Sequence, residues 1–364
     1  MTTDLVLAPQ NLPPVFASRP FPTVILQAGP DATRRFVEFF TANIRNPNTR
    51  AAYARAVGQF MQWCEARKLS LKDLSPFLVA AYIEELSQRD PREHPVCRRT
   101  PNGRSFTATI STRALAPPAV KQHLAAIRML LDWLVVGQVM PFNPASSVRG
   151  PKHVVKRGKT PVLSTEDARR LLDSIPLTRK GLHPEEKDEV ADLVGLRDRA
   201  FIGVMVYSFA RVSAVCAMKV EDYYQNGKRC WFRLHEKGGK FHEVPAHHNA
   251  QAYLDEYLSA SRIAAEKKTP LFRAAAGRTN TFSESGVSRT DVFRMIKRRA
   301  VAAGLPARIS CHTFRATGIT AYLEAGGTIE KAQAIAAHES PRTTKLYDRT
   351  NSELTLDEIE RIAI

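Results

Sequence analysis

The sequence has no cysteine pair at Cys-x-x-Cys spacing: its five cysteines stand apart at positions 64, 97, 216, 230 and 311, an odd number spread over 364 residues. That excludes a disulfide scaffold, a zinc knuckle and a dithiol redox motif as organising features, and leaves the reduced thiols of a cytoplasmic protein as the expectation. Long apolar runs are equally scarce. The longest, Ala200 to Ala210, is far short of the roughly 20 residues a membrane span needs. The N-terminus MTTDLVLAPQNLPPVF lacks a basic region followed by a continuous apolar one, so neither secretion nor membrane insertion is expected. Carboxylates are in deficit: 36 Asp and Glu face 53 Lys and Arg, for a net charge of +17. No basic tail of low complexity carries that excess, and no period of 20 to 50 residues recurs, so a solenoid is not indicated. With 44% hydrophobic and 24% charged residues the chain is otherwise an ordinary globular one, long enough for two cores. A cationic excess spread through folded sequence favours a polyanionic partner, nucleic acid ahead of an anionic membrane surface.

Residues 1–30 contain several prolines and no helical period, and are expected to form a mobile arm. Helical spacing follows. NTRAAYARAVGQFMQWCEARK sets Tyr53, Val57, Phe60, Met61 and Cys64 on one face behind the start signal Asn46–Pro47–Asn48. SPFLVAAYIEELSQR repeats the pattern, and PPAVKQHLAAIRMLLDWLVVGQ aligns Val120, Leu124, Ile127, Leu130, Leu131 and Leu134. With TRRFVEFFTANI these make an all-α bundle of about four helices over residues 31–148, interrupted by a polar loop from Asp90 to Pro118. Residues 149–163 read as an extended basic linker, in which Lys152, Lys156, Arg157 and Lys159 would meet a phosphate backbone. A second, mainly helical domain is expected over 164–350. It begins at the N-cap Ser164, holds DLVGLRDRAFIGVMVYSFARVSAV as its buried central helix, and folds CWFRLHEKGGKFHEVPAH into a hairpin turning tightly at Gly238–Gly239.

The second domain contains three separated clusters of similar equipment. Arg211 lies in the apolar stretch SFARVSAV, where a charge is costly unless it meets a partner. Lys237 sits at the hairpin tip. CHTFRATGITAYLEAGG places His312 and Arg315 one turn apart on a single helix face, so that both reach one anion, and AAHESPRTTKLYDR adds His338 and Tyr347. In order, residue type and spacing together, these residues resemble the tyrosine recombinase (phage integrase) family. ARVS matches its first-arginine motif, EKGGKFHEVP its lysine hairpin, HTFR its His-x-x-Arg motif, and AAHESPRTTKLYDR its second histidine and nucleophilic tyrosine. The N-terminal helices resemble its core-binding domain in size and position.

The resemblance implies a site-specific DNA strand transferase that cleaves and rejoins DNA through a 3′-phosphotyrosine, with no cofactor, metal or ATP. Its implied partners are double-stranded DNA carrying an inverted-repeat site and further copies of the chain, as a tetramer on DNA; no membrane is involved, and the place of action is the cytoplasm, in association with the nucleoid. Arg211 and Arg315 would hold the charge that develops on a scissile phosphate. His312 and His338 would help take the phenolic proton of Tyr347, because a free tyrosine, with a pKa of about 10, is a poor nucleophile at neutral pH. Lys237 would protonate the departing 5′ oxygen, with Lys240 as the substitute across the same turn. The apolar tail 351–364 would dock on a neighbouring protomer.

Three positions depart from the pattern. Ala214 stands where an acid usually follows the first arginine, Ala316 where a histidine often follows His-x-x-Arg, and Ala336–Ala337 where Leu-Gly is common before the second histidine. The first of these keeps open a DNA-binding protein of the same fold that no longer cuts; a topoisomerase-like relaxing enzyme shares the chemistry. His242, His247 and His248 lack the i, i+4 spacing of helical zinc ligands. The run Lys297–Arg298–Arg299 is expected to be a solvated helix face touching phosphates.

Overall fold

The computed structural model describes residues 21–88, 114–153, 158, 160–180, 189–236, 241–277, 279–306 and 308–348 in full, and the backbone alone at 95–99 and 105–109. Two compact units divide the chain, Met1–Val154 and Val155–Ile364.

In the first unit, α1 (Thr23–Gln27) and α2 (Pro30–Glu38) precede α3 (Pro47–Ala66), α4 (Pro76–Gln88) and α5 (Pro117–Val136). Asn46 starts α3 as its spacing suggests: the side-chain oxygen accepts from the Asn48 and Thr49 amides at 3.0 and 3.2 Å, satisfying donors that the first turn leaves without partners. Val57, Phe60, Met61 and Cys64 of α3 are buried, as are all six apolar positions read on α5. Phe36, Phe39, Phe40, Trp63 and Tyr82 complete the core; each large side chain removed from water contributes about 1.5–3 kcal/mol.

Two expectations for this unit fail. Residues 21–30 are not a mobile arm: Val24 and Ile25 of α1 are buried in the core, and Phe21 meets Phe36 edge to ring at 5.2 Å between centroids. The prolines at 22 and 30 flank α1 and start α2, positions where a missing amide costs nothing. The loop after α4 contains an antiparallel pair, β1 (Pro95–Arg99) with β2 (Ser105–Thr109), and ends at Ala116, because Pro117 and Pro118 open α5.

The second unit is built around α7 (Leu193–Tyr207), preceded by α6 (Thr165–Asp173) and the pair β3 (Thr178–Lys180) and β4 (Glu189–Ala191). After α7 come α8 (Val212–Ala217) and a three-stranded antiparallel sheet of β5 (Tyr223–Asn226), β6 (Arg229–His235) and β7 (Phe241–Pro245). α9 (His248–Ser261), the pair β8 (Arg273–Ala275) and β9 (Phe282–Gly286), α10 (Arg289–Ala302), α11 (Cys311–Glu324), α12 (Ile329–Ile335) and α13 (Pro341–Lys345) complete it. Leu196, Ala200, Phe201, Ile202, Val204 and Met205 bury α7 on every side.

The central helix is shorter than the sequence implies. It stops at Tyr207, and Phe209 takes a left-handed conformation (φ 53°) before α8 begins with Arg211 as its N-cap. The ladder of β6 and β7 is described as far as His235 opposite Phe241, and the turn expected at Gly238–Gly239 lies outside the described residues.

Inside α7, Asp198 is fully buried and accepts from Arg197 of its own helix and from the Nε and NH2 groups of Arg299 on α10, at 3.0 and 2.8 Å, with Arg298 at 3.4 Å. The Lys297–Arg298–Arg299 run is therefore not one solvated face. Arg299 is a nearly buried tie between helices, Arg298 leans on the same carboxylate, and the Lys297 ammonium lies 5.2 Å over the Phe293 ring. Removing one member of so buried an ionic group would cost about 3–5 kcal/mol, because a charge would be left without its partner.

Candidate active site

The anchor is α11. Ser310 opens it, its amide donating to the Thr313 hydroxyl at 3.0 Å, and Arg315 one turn further is almost completely buried. Its guanidinium donates to two main-chain carbonyls: Phe209, in the break between α7 and α8, and Ala336, at the end of α12, at 2.6 Å in the latter case. Two of its five N–H groups are thus committed to main-chain carbonyls. Burial among these groups, with Arg211 nearby, pulls the Arg315 pKa down to about 10, while Glu236 and the Tyr347 hydroxyl favour its charged form.

The two threonines that follow are structural. Thr317 accepts from the Leu163 amide at 3.0 Å, tying the stretch ahead of α6 to α11 within the second unit. Thr320 donates to the Tyr347 carbonyl at 2.9 Å and so holds the tyrosine's backbone against the helix that bears Arg315. Between them Gly318 allows the close crossing of α11 over α7, where a Cβ would lie 2.1 Å from the Val206 carbonyl oxygen.

His338 is placed by a helix terminus. The Ala337 amide donates to Ala334 and the His338 amide to Gln333, the paired bonds of a Schellman ending to α12, with Ala337 in the left-handed region (φ 47°). The imidazole Nδ1 lies 2.9 Å from the Thr344 hydroxyl on α13, and the ring stacks on Tyr347, the centroids 5.8 Å apart and the planes within 8°. Burial first, then the charges of Arg315 and Arg211, hold the His338 pKa down at about 4; the same causes lower that of His312, which is solvent-exposed at the start of α11. Both imidazoles are neutral at pH 7 and can accept a proton. Tyr347 follows α13 directly, half-buried over a small apolar floor of Phe209, Ile319, Leu323, Ala332 and Ala336.

Arg211, Arg315, His312, His338 and Tyr347, drawn from four segments, therefore share one electrostatic environment. The sequence reading missed two side chains that serve them, Thr344 and Glu236. Glu236, immediately after β6, is buried and forms an ion pair through its Oε2 with NH1 of Arg211. The absence of an acid at 214 was the available hint that Arg211 would need a carboxylate from elsewhere. Lys237 and Lys240 lie outside the described residues, as do Lys156, Arg157 and Lys159; Lys152 is exposed at the end of the first unit. The three histidines set aside as zinc ligands have other work: His242 donates from Nε2 to the Ile335 carbonyl at 2.9 Å, and His247 stacks between Tyr207 and His248.

The sequence profile described as the Phage integrase family matches residues 185–353, the span that carries every one of these residues. Over this span the chain is similar to the tyrosine recombinases. It is similar to the tyrosine recombinase XerD of Chlorobaculum tepidum, with 25% identity over 82% of this chain and 85% of the relative. Among solved structures, the XerH site-specific recombinase bound to a palindromic difH substrate, in a post-cleavage complex, covers 88% of this chain and 82% of its own with a TM-score of 0.61 at 17% identity. A lambda integrase tetramer bound to a Holliday junction covers 89% and 79% with a TM-score of 0.57 at 14% identity. At such identities the structural likeness establishes the fold alone, a helical unit followed by a mainly helical one with small antiparallel sheets.

Proposed function

We propose that this chain is a site-specific recombinase that cleaves and rejoins double-stranded DNA through a covalent 3′-phosphotyrosine formed on Tyr347, using only its own side chains. The observation that carries the reading is the convergence of two guanidinium groups, two neutral imidazoles and a tyrosine on one half-open site. A phosphodiester entering it meets Arg211 and Arg315, whose planar forks suit its non-bridging oxygens and stabilise the charge that grows there in the pentavalent transition state. The Tyr347 oxygen attacks phosphorus as its proton passes to a neighbouring imidazole; the P–O5′ bond breaks, and the 5′ oxygen takes a proton from Lys237. The phosphodiester energy is retained in the tyrosyl ester, so a second 5′ hydroxyl reverses the step on another strand without an external energy source. His338 suits the proton-accepting part, because Thr344 orients it through Nδ1 and leaves Nε2 toward the site.

By analogy with the XerH complex on its difH substrate and the lambda integrase tetramer on a Holliday junction, the working form is an assembly of several copies on paired DNA sites. A duplex nicked close to the cleavage point lets the short 5′ fragment diffuse away and traps the intermediate. Wild-type protein is expected to yield a protein–DNA adduct resistant to SDS, and Tyr347→Phe none, with half-site binding retained because only one oxygen is lost. A phosphotyrosyl adduct in Tyr347→Phe, or no adduct with wild type on its own site, would overturn the proposal.

A further inference from the structure

We propose that Glu236 is a positioning residue for strand transfer: its carboxylate holds the Arg211 guanidinium in register with Arg315 before DNA arrives. The inference rests on the strand-transfer reading above and concerns how that site is organised.

The geometry assigns the part to Glu236. Arg211 is the N-cap of the short α8, and the side chain three residues along the same helix is Ala214, a fully buried methyl group that offers nothing to a guanidinium. The carboxylate comes from another element. The Glu236 side chain is only 5% exposed whereas that of Arg211 is 31% exposed, so the acid stands behind the arginine, on the protein side of a site that opens to solvent. The contact engages NH1 of Arg211. The Nε–NH2 edge of the guanidinium therefore stays free to form two parallel bonds to one phosphate, the stronger mode of anion binding. A single-edge tether also fixes the plane of the fork, which a free arginine with several rotatable bonds would have to order in the transition state.

Glu236 is itself firmly mounted. It continues β6, which pairs with β7 through Leu234–His242 and His235–Phe241. His235 donates from Nε2 to Asp222 at 3.2 Å, and His242 on β7 donates to the Ile335 carbonyl, one residue before the carbonyl that holds Arg315. The sheet that presents Glu236 to Arg211 is thereby bonded to the helix end that fixes Arg315, so the two forks are set relative to one another through protein rather than through substrate.

The carboxylate's charge is the testable element. Glu236→Gln keeps the side-chain shape and removes the charge; Glu236→Asp keeps the charge and shortens the reach. On a nicked half-site duplex, adduct formation by Glu236→Gln at saturating DNA should slow by roughly 30- to 100-fold, the scale expected when a reacting group is misplaced by about an ångström. Half-site affinity should stay within about threefold, because contacts to the flanking backbone supply most of it. Glu236→Asp should recover part of the rate, and melting temperatures measured alongside should show both variants folded at the assay temperature.

A duplex with a methylphosphonate at the scissile position, which lacks one of the two charged oxygens Arg211 would clamp, separates positioning from general support of the fold. There the Glu236→Gln penalty should shrink to within about threefold of wild type, since an arginine whose anion is gone has little left to lose by misalignment. A wild-type rate in Glu236→Gln, an equal penalty on both substrates, or a rate loss matched by lost affinity would each overturn the assignment. If wild-type protein itself formed no adduct on the phosphodiester, the strand-transfer reading would fail instead, and the two failures are told apart in the same gel.

Discussion

At the scale of single residues the site is defined by how differently its two arginines are bound. Arg211 is partly open and tethered at one edge to Glu236, whereas Arg315 is buried and tied to the carbonyls of Phe209 and Ala336. Arg315→Lys should therefore do double damage. An ammonium cannot span two carbonyls and a phosphate in one plane, so we expect a loss of at least about 10²-fold in adduct formation together with about 1–3 kcal/mol of stability from polar groups left unpaired. The same change at Arg211 should lower activity with a smaller effect on the chemical denaturation midpoint. His338 yields a pH prediction. Its pKa in the folded protein, about 4, lies below the ordinary histidine value of 6.5, so the unfolded chain binds more protons between those limits. The stability contributed by the neutral imidazole is complete above pH 6.5 and is lost as pH falls toward 4, by on the order of 2 kcal/mol. Urea titrations between pH 7 and pH 4 should show this decline, and His338→Asn should flatten it.

At the scale of elements, helix ends and crossings set the geometry more than helix bodies do. The carbonyls that hold Arg315 belong to or adjoin two non-glycine residues in the left-handed region, Phe209 and Ala337. At Ala337 the side chain opposes the conformation that the Schellman ending requires, at a cost of about 1 kcal/mol. Ala337→Gly should relieve it, raising stability by about 0.5–1 kcal/mol after the extra freedom of glycine in the unfolded chain is subtracted, with strand-transfer rate unchanged. A fall in melting temperature in that variant would show that the methyl group's packing outweighs the strain. The sequence marked this position as an alanine where glycine is common; only the backbone angle explains what the difference means. The end of α7 at Tyr207 was not legible. Apolar residues resume at Phe209 and Ala210 after the single Ser208, and the break is stabilised by Arg315, a residue far along the chain.

At the scale of the whole molecule the excess of 17 positive charges is the dominant feature. DNA binding should weaken steeply with salt, each neutralised phosphate adding about −0.9 to the log–log slope. Replacing Lys152, Lys156, Arg157 and Lys159 together should reduce that slope by two to four units' worth of contacts, about −0.9 each, and weaken related and unrelated sequences alike. Arg299 should not be counted among such contacts, because its charge is spent on Asp198. The tail 351–364, outside the described residues, carries Leu354, Leu356, Ile359, Ile362 and Ile364 among acids. The spacing predicts a short amphipathic helix, and an isolated helix of that length would need a surface to pack on. Deleting 353–364 is expected to preserve single half-site binding and abolish cooperative assembly in native gels; intact synapsis by the truncated protein would make the tail a local element of its own unit.

The sequence by itself determined which residue types the candidate site brings together and which helices carry them. Arg211, His312, Arg315, His338 and Tyr347 are legible from type, order and motif, and the apolar faces of α3 and α5 from their period, because each motif and each period is local in the chain. What the tertiary structure decided are the contacts that period and motif do not encode. Arg315 bonds to a carbonyl 106 residues away, Thr317 to an amide 154 residues away, and Arg211 to a carboxylate just past a strand rather than to one on its own helix. The same run of basic residues on α10 divides into a buried tie at Arg299 and a more exposed Arg298. A buried charge is tolerated only where a partner meets it, and which partner arrives depends on the packing of distant elements, so these choices exist only once the chain has folded.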